Sequence, residues 1–155
     1  MSAVRPIPEG KEGAVPYLCV RGGSEAIDFY VRAFGAVESF RMEHEGKIGH
    51  AELKIGPAVI FLADEYAEMG WLSPQAIGGT PVMMHLYVED VDAFAQKAVA
   101  GGAKLIRPVE DQFYGDRGGR LEDPFGHRWH VATQIEELTP EEMRRRAQEK
   151  FGGSS

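Results

Sequence analysis

The tetrapeptide Asp123-Pro124-Phe125-Gly126 restricts the fold of this chain more than any other stretch. Asp can hydrogen-bond the turn backbone, Pro presets φ at the second position, and Gly suits the fourth, so the four residues are typical of a type I turn. The runs on either side, 119–122 and 128–133, then predict the two arms of a β-hairpin. Because a hairpin cannot bury its apolar side alone, the rest of the chain must supply a sheet and helices for it to join.

Residues 15–65 predict one module with the order strand, helix, strand, strand, strand. Pro16 confines the first strand to a sheet edge or to its first residues, and the uninterrupted apolar run 58–63 favours a central strand. The helix is predicted over 24–34, with Ser24 as a suitable N-cap. The apolar face of this helix comprises Ala26, Ile27, Tyr30, Val31 and Phe34.

Residues 82–136 repeat that order, since an alternating strand is followed by a helix that Asp90 or Asp92 can cap, a further strand and the hairpin. Leu18-Cys19-Val20 is echoed by Leu86-Tyr87-Val88, and the repeat distance of about 67 residues indicates an internal duplication. We therefore predict an α+β protein built from two βαβββ modules. The predicted boundaries are an N-terminal arm at 1–14, a duplicated domain at 15–136 with a linker at 66–81, and a C-terminal helix with a flexible tail at 137–155.

Composition excludes several classes of function. A net charge of −7 argues against sequence-independent nucleic-acid binding, which needs a basic face. Cys19 is the only cysteine, so neither an intrachain disulfide framework nor a cysteine-based zinc site is expected. The sequence contains neither a long apolar membrane span nor the apolar core of a signal peptide. We expect a soluble, cytoplasmic protein without nucleic-acid or membrane partners.

Four motifs in this order carry a family resemblance over residues 15–136. They are Ala26-Ile27-Asp28-Phe29-Tyr30, His85-Leu86-Tyr87-Val88-Glu89-Asp90-Val91-Asp92, Asp111-Gln112-Phe113-Tyr114-Gly115-Asp116-Arg117 and Asp123-Pro124-Phe125-Gly126-His127-Arg128-Trp129. The chain resembles the vicinal-oxygen-chelate superfamily of glyoxalase I, bleomycin-resistance proteins and extradiol dioxygenases, and within it the PhnB-like, glyoxalase-like group. The resemblance implies two paired modules forming a curved mixed sheet, a cup that encloses a ligand, and a homodimer.

The same resemblance implies where a metal would bind. Metal enzymes of the superfamily take His or Glu ligands from the first and fourth strands of a module pair. The matching positions here are Val15, Phe61, Met83 and His130. Val and Phe offer no donor atom and Met is a soft ligand, so three of the four positions do not suit a divalent ion. We expect no metal at the usual positions and no cofactor.

Strand alternation suggests a second way to hold a metal. His50, Glu52, His85 and His130 all fall on the polar side of their strands, and a relocated set of this composition would suit Zn²⁺ or Ni²⁺. The alternatives are that the four residues line a polar pocket, or that a histidine or Glu52 acts catalytically without metal. Glu52 is then the candidate catalytic residue.

These considerations predict a ligand-binding set and a function. The candidate ligand-binding residues are His50, Glu52, Phe61, Met83, His85, Tyr87, Phe113, Tyr114, Arg117 and His130. Asp116-Arg117 suits either a surface ion pair or a contact to an anion, and Trp129 is expected in the helix-side core. We expect a protein that binds a small organic molecule in its cup without the usual metal site. The alternative is a glyoxalase-like lyase or isomerase in which a divalent metal, held by the relocated set, polarises the substrate.

Overall fold

A computed structural model describes residues 3–152, and the predicted α+β fold with two βαβββ modules is confirmed. The chain divides into two compact units, the first ending at Thr80 and the second beginning at Pro81. Each unit contains one four-stranded mixed sheet with its own helices. Among the described residues, no helix is both long and apolar enough to cross a membrane.

Unit 1 contains the first module. Its elements are β1 (Tyr17–Val20), α1 (Gly23–Phe34), β2 (Val37–His44), β3 (Lys47–Ile55), β4 (Ala58–Asp64), a 3₁₀ turn (Ala67–Met69) and the short helix α2 (Pro74–Ile77). The strands are ordered β1-β4-β3-β2, with β1 parallel to β4 and the other pairs antiparallel. Pro16 therefore precedes an edge strand, and the apolar run 58–63 lies in a central strand, as predicted.

Unit 2 repeats the arrangement. Its elements are β5 (Met83–Tyr87), α3 (Val91–Ala100), β6 (Lys104–Asp111), β7 (Asp116–Glu122), β8 (Arg128–Gln134) and the C-terminal helix α4 (Pro140–Phe151). The strand order β5-β8-β7-β6 matches that of unit 1 position by position, which confirms the duplication. Asp90 is the N-cap of α3, since its carboxylate accepts a hydrogen bond from Ala93 N–H at 3.1 Å.

The core of unit 1 follows the predicted alternation with one exception. On β3, Ala51, Leu53 and Ile55 are buried. On α1, Val31 is 43% exposed, whereas Phe29 is only 2% exposed. The prediction for Val31 is wrong because the buried face of α1 is centred between the rows that contain Phe29 and Tyr30, which places Val31 at its margin.

The start of α1 also differs from the prediction. Helix α1 begins at Gly23, so Ser24 lies inside the first turn and Gly22 is the N-cap residue. The carboxylate of Asp64, at the end of β4, accepts hydrogen bonds from Gly22 N–H at 3.0 Å and Gly23 N–H at 2.9 Å. It also accepts one from Ile48 N–H at 2.7 Å. A Cβ at position 23 would lie 2.7 Å from Ile48, so glycine permits this close approach.

Thr133 plays the corresponding part in unit 2. Its hydroxyl oxygen accepts a hydrogen bond from Val91 N–H at 2.9 Å, at the start of α3, and its O–H donates to the Val88 carbonyl at 2.8 Å. Val20 and Val88 are matched in the duplication, and each is followed by the helix of its module. A carboxylate in one module and a hydroxyl in the other thus tie the helix to the sheet.

The turn at Asp123 is confirmed. Gly126 N–H donates to the Asp123 carbonyl at 3.1 Å, and the Asp123 carboxylate accepts from Phe125 N–H at 2.9 Å and His127 N–H at 3.0 Å. The same carboxylate accepts from Trp129 Nε1 at 3.0 Å. Trp129 is 2% exposed, so its predicted place in the core is confirmed.

Candidate functional site

Unit 2 contains two cavities of similar volume, about 490 Å³ and about 470 Å³. They differ in the polarity of the side chains that line them. The first, between α3 and β6, is lined almost wholly by apolar side chains. The second, of about 470 Å³, has walls from β6, the β6–β7 loop, β7, β8 and the end of α4. We call the second one the β7 pocket. Its aromatic walls are Phe113, Tyr114 and Phe151.

Helix α4 is held against this pocket by Arg146. The Arg146 guanidinium donates to the Phe113 carbonyl at 3.2 Å and to the Glu136 carboxylate at 2.8 Å. These contacts place the Phe151 ring 5.5 Å from the Phe113 ring, edge to face. The ammonium of Lys150 lies 5.5 Å from the Phe113 ring centroid, within cation–π distance.

The floor of the β7 pocket contains two glycines. A Cβ at Gly118 would lie 2.9 Å from the Val131 carbonyl oxygen and 3.0 Å from His130 Nε2. A Cβ at Gly119 would lie 2.9 Å from the Arg107 carbonyl oxygen. Both glycines are buried, and their lack of a side chain lets the neighbouring backbone and, at Gly118, the His130 ring approach the strand closely.

Two buried nitrogens at the β7 pocket have no hydrogen-bond partner within residues 3–152. They are Nε2 of His130 and Nε of Arg120, which face each other across the paired strands β7 and β8. Burial lowers the pKa of His130 below its usual value, and the charges of His85 and Arg120 lower it further. A buried polar atom without a partner loses its hydration and gains nothing in return, so a ligand group that reached either nitrogen would offset that cost.

Three other predicted residues lie on the neighbouring strand or close to it. His85 and His130 are register partners on β5 and β8, and their rings stack with centroids 4.9 Å apart. Tyr87 is 4.6 Å from the His85 ring, and its hydroxyl donates to the buried Asp116 carboxylate at 2.7 Å. Met83 is at the start of β5 and is 42% exposed.

Arg117 has charged partners elsewhere in unit 2. Its guanidinium donates to the Asp92 carboxylate at 2.9 Å and to the Asp111 carboxylate at 3.0 Å. Asp116 bonds to Tyr87 instead of to Arg117. Of the two alternatives for this position, the structure therefore shows the surface ion pair, although with other acidic partners than the adjacent Asp116.

In unit 1, the predicted residues form a chain of hydrogen bonds. Tyr17 Oη lies 2.6 Å from His50 Nδ1, His50 Nε2 lies 3.0 Å from Glu52 Oε2, and Lys11 Nζ lies 2.6 Å from Glu52 Oε1. The hydrogen bond from Lys11 is the largest cause that lowers the pKa of Glu52, and His50 lowers it further. In the Nε2–H tautomer of His50, the Glu52 carboxylate accepts a hydrogen bond from Nε2–H and His50 Nδ1 accepts one from the Tyr17 O–H.

Aromatic rings surround the hydrogen-bonded series of Tyr17, His50 and Glu52. Phe61 lies 4.9 Å from the His50 ring and 5.5 Å from the Tyr17 ring. Trp71 is 5.2 Å from Tyr17, and its buried Nε1 has no partner among the described residues. Burial, and then the charge of Glu52, raise the pKa of Tyr17, so its hydroxyl is protonated at neutral pH.

Comparison with known proteins agrees with this fold. A family model described as the Glyoxalase/Bleomycin resistance protein/Dioxygenase superfamily matches residues 15–131. The chain belongs to this superfamily. The Mycobacterium tuberculosis protein Rv0887c is 42% identical to it over 132 residues, which cover 83% of this chain and 78% of that protein.

Two solved structures of the superfamily fold are similar to this one. TioX from Micromonospora sp. ML1 is 26% identical, covers 83% of this chain and 100% of its own, and has a TM-score of 0.63. A PhnB protein from Bacillus cereus is 16% identical, covers 79% of this chain and 99% of its own, and has the same TM-score of 0.63. The predicted superfamily is thus confirmed, and the PhnB-like subgroup remains a prediction.

The side chains do not fit the metal chemistry of the superfamily. Val15, Phe61 and Met83 supply no hard donor at the matched positions. Both nitrogens of His50 and both oxygens of Glu52 already have partners in unit 1.

In unit 2, the rings of His85 and His130 are 10° from parallel, so their lone pairs point side by side instead of converging. Within residues 3–152, no group of three His, Cys, Asp or Glu side chains could hold a metal ion.

The sequence prediction missed most of the residues that line the β7 pocket, including its three cations and one of its aromatic walls. The missed cations are Arg107, Arg120 and Lys150, and the missed aromatic residue is Phe151. Arg120 could have been found, because it alternates onto the same side of its strand as Gly118, two residues from the glycine that makes room for His130. Lys150 and Phe151 could not, since the sequence of α4 does not say where the helix packs.

Proposed function

We propose that this protein binds a small organic molecule in the β7 pocket, without the superfamily's usual metal site. The observation that carries the proposal is a cavity of about 470 Å³ with aromatic walls and a glycine floor. Its volume lies in the range of roughly 300–1,000 Å³ that is typical of small-molecule sites. Phe113 and Tyr114 supply apolar surface, while His130 Nε2 supplies a polar group that can orient the ligand.

The proposal also covers the subgroup, the oligomeric state and the cellular location of the protein. We infer a PhnB-like member of the superfamily, a homodimer and a cytoplasmic location. The subgroup and the homodimer rest on the resemblance that the motifs at 85–92 and 123–129 carry. Size-exclusion chromatography with light scattering tests the dimer directly, since a mass near the 17.1 kDa of one chain would contradict it.

Ligand-observed NMR tests the pocket with a fragment panel of aromatic amides: benzamide, 1-naphthamide and indole-3-acetamide. We expect saturation transfer to at least the larger amides, and its loss in the Tyr114→Ala variant, which removes one wall. Phe40→Ala is the matched control because Phe40 is an aromatic residue of unit 1 that is 48% exposed. Binding that survives Tyr114→Ala and disappears in Phe40→Ala would contradict the location of the site.

The hydrogen-bonded chain of Tyr17, His50 and Glu52 favours a second candidate function, proton transfer without metal. Once Tyr17 has given its proton to a substrate oxygen, His50 Nδ1 can take the proton from the substrate carbon and then pass it to Tyr17 Oη, while Glu52 holds the tautomer of His50. The products are the enol and the two residues in their starting protonation states. The lowered pKa of Glu52 keeps this carboxylate ionised and makes it a poor base. The metal-dependent lyase or isomerase would need ligands other than the four candidate residues.

Solvent deuterium exchange into the α-position of aldehyde–thiol adducts tests this candidate. Exchange that is abolished by Tyr17→Phe and by His50→Gln, and is unchanged by a chelator, would support metal-free proton transfer. Exchange that stops in chelator and returns with Ni²⁺ or Zn²⁺ would support the metal-dependent alternative instead. No exchange under any condition would leave binding as the function.

A further inference from the structure

The β7 pocket has a strong excess of positive charge in an acidic protein. The whole chain has a net charge of −7, yet this pocket is lined by Arg107, Arg120 and Lys150 with Glu110 as its single carboxylate. None of the three cations forms an ion pair with a carboxylate anywhere in residues 3–152. By contrast, Arg117 and Arg128, on the same two strands that form the floor, both have carboxylate partners.

Two of these cations stand opposite each other. Arg107 on β6 and Arg120 on β7 are register partners across an antiparallel pair. Like charges in directly opposite positions repel each other, and neighbouring strands usually place opposite charges there. Because neither arginine forms an ion pair in the described part of the chain, an anion that binds between the two guanidinium groups would relieve their repulsion.

The unpartnered nitrogens lie beside the same pair. Arg120 Nε is buried and makes no hydrogen bond, and His130 Nε2, on the adjacent strand, is buried and makes none either. A carboxylate or phosphate oxygen is the acceptor that a guanidinium Nε–H binds most strongly, because the hydrogen bond is charge-assisted. A neutral ligand would leave the repulsion between the two arginines in place.

We propose that the ligand of the β7 pocket carries an anionic group, a carboxylate or a phosphate, that binds between Arg107 and Arg120 while its aromatic or aliphatic body contacts Phe113 and Tyr114. Lys150 approaches from α4 and adds a third positive charge at the exposed side. This inference rests on the proposed function, and it names the class of ligand that the pocket selects: small aromatic or amphipathic acids.

Matched acid and amide pairs test it. Benzoate, 1-naphthoate and indole-3-acetate differ from the three amides of the panel only in the charged group, and phenyl phosphate distinguishes phosphate from carboxylate. Isothermal titration calorimetry should give an affinity at least about tenfold higher for each acid than for its amide, as expected for a charge-assisted bidentate contact. The affinity of the acids, and not of the amides, should fall as NaCl is raised.

Variants locate the contact. Arg120→Gln should weaken 1-naphthoate by about tenfold and leave 1-naphthamide within about twofold. Lys150→Gln, on the exposed end of α4, should weaken the acid by a smaller factor and gives a second reading if Arg120→Gln does not fold. Arg128→Gln is the matched control, because Arg128 has the same charge on the adjacent strand β8 and is paired with Glu122.

The outcomes separate the two proposals. If amides and acids bind equally tightly, or if Arg120→Gln weakens both to the same extent, the anion proposal is wrong and the binding function stands. If neither acids nor amides bind to the wild-type protein, the proposed function itself fails. An acid preference that survives in Arg120→Gln and Lys150→Gln but disappears in Arg128→Gln would also overturn the inference.

Discussion

The imidazole rings of His85 and His130 stack with their centroids 4.9 Å apart and their planes 10° from parallel. Burial is the largest cause that lowers the pKa of His130 below its ordinary value of 6.5, followed by the neighbouring His85 and Arg120 charges. As the pH falls through 6.5, the unfolded chain therefore takes up a proton at this histidine before the folded protein does. The stability that His130 contributes is complete above pH 6.5 and is lost as the pH falls through the lowered folded pKa.

We expect the free energy of unfolding to decrease between pH 7 and 5, with a smaller slope in the His130→Asn variant. Urea denaturation at several pH values measures the slope. His44→Gln is the control, since His44 is a histidine exposed at the end of β2. Equal slopes for wild type and His130→Asn would contradict the expectation.

Glu65 should protect unit 1 against acid. Hydrogen bonds from Ser73 and then Arg21 lower the pKa of Glu65 from its ordinary 4.5 to about 2. A lowered carboxylate pKa stabilises the fold above pH 4.5, and this stabilisation is lost as the pH falls towards 2. Because Glu65 is partly exposed, Glu65→Gln should cost about 1–2 kcal/mol at pH 7.

This cost should shrink steadily as the pH falls from 4.5 towards 2, because the wild-type carboxylate takes up a proton over this range. Chemical denaturation at pH 7, 4 and 2.5 measures it. The control is Glu68→Gln, because Glu68 is an exposed glutamate three residues further along the chain. If the loss in free energy of unfolding caused by Glu65→Gln stayed constant with pH, the ionised state of Glu65 would not be the source of the stabilisation.

Asp64 and Thr133 occupy equivalent positions in the two modules, but we expect them to contribute unequally to the free energy of unfolding. Asp64→Ala leaves Gly22, Gly23 and Ile48 N–H groups without their acceptor, and we expect a loss of about 2–4 kcal/mol. Thr133→Ala removes one accepted and one donated hydrogen bond, for about 1 kcal/mol. Thermal denaturation compares them, and a larger loss for Thr133→Ala would contradict the assignment.

Gly118→Ala should harm both stability and binding. The added methyl group would lie 2.9 Å from a backbone oxygen, and relieving that overlap should cost about 1–3 kcal/mol. It would also narrow the β7 pocket next to His130, so 1-naphthoate should bind more weakly. Gly49→Ala is the matched control, because Gly49 is in a strand and its Cβ would meet its nearest neighbour at 3.7 Å. Equal stability of the two variants would contradict the close packing around Gly118.

The fold could be predicted because its signals are local. Alternation on β3, the apolar run of β4 and the turn at Asp123 each depend on a few adjacent residues. The prediction that Ser24 caps α1 failed because the capping group is distant in sequence. The group that caps α1 is Asp64, which lies 40 residues further along the chain, and no local pattern indicates it.

The candidate site was predictable to a smaller extent. His130, Phe113 and Tyr114 do line one pocket, and His50 and Glu52 do contact each other. Arg117 suits an anion in sequence, but its partners Asp92 and Asp111 come from α3 and β6 and bind it first. Which arginine lacks a carboxylate is decided by the packing of several elements, so the sequence did not single out Arg120.

The hydrogen bond from Arg146 to the Phe113 carbonyl in the β6–β7 loop links α4 to the β7 pocket. Since Lys150 and Phe151 form part of its wall, a ligand that touches them also opposes the undocking of the helix. The amide protons of α4 would then exchange with deuterated solvent more slowly when the pocket is filled, and the helix would report occupancy without any label on the ligand.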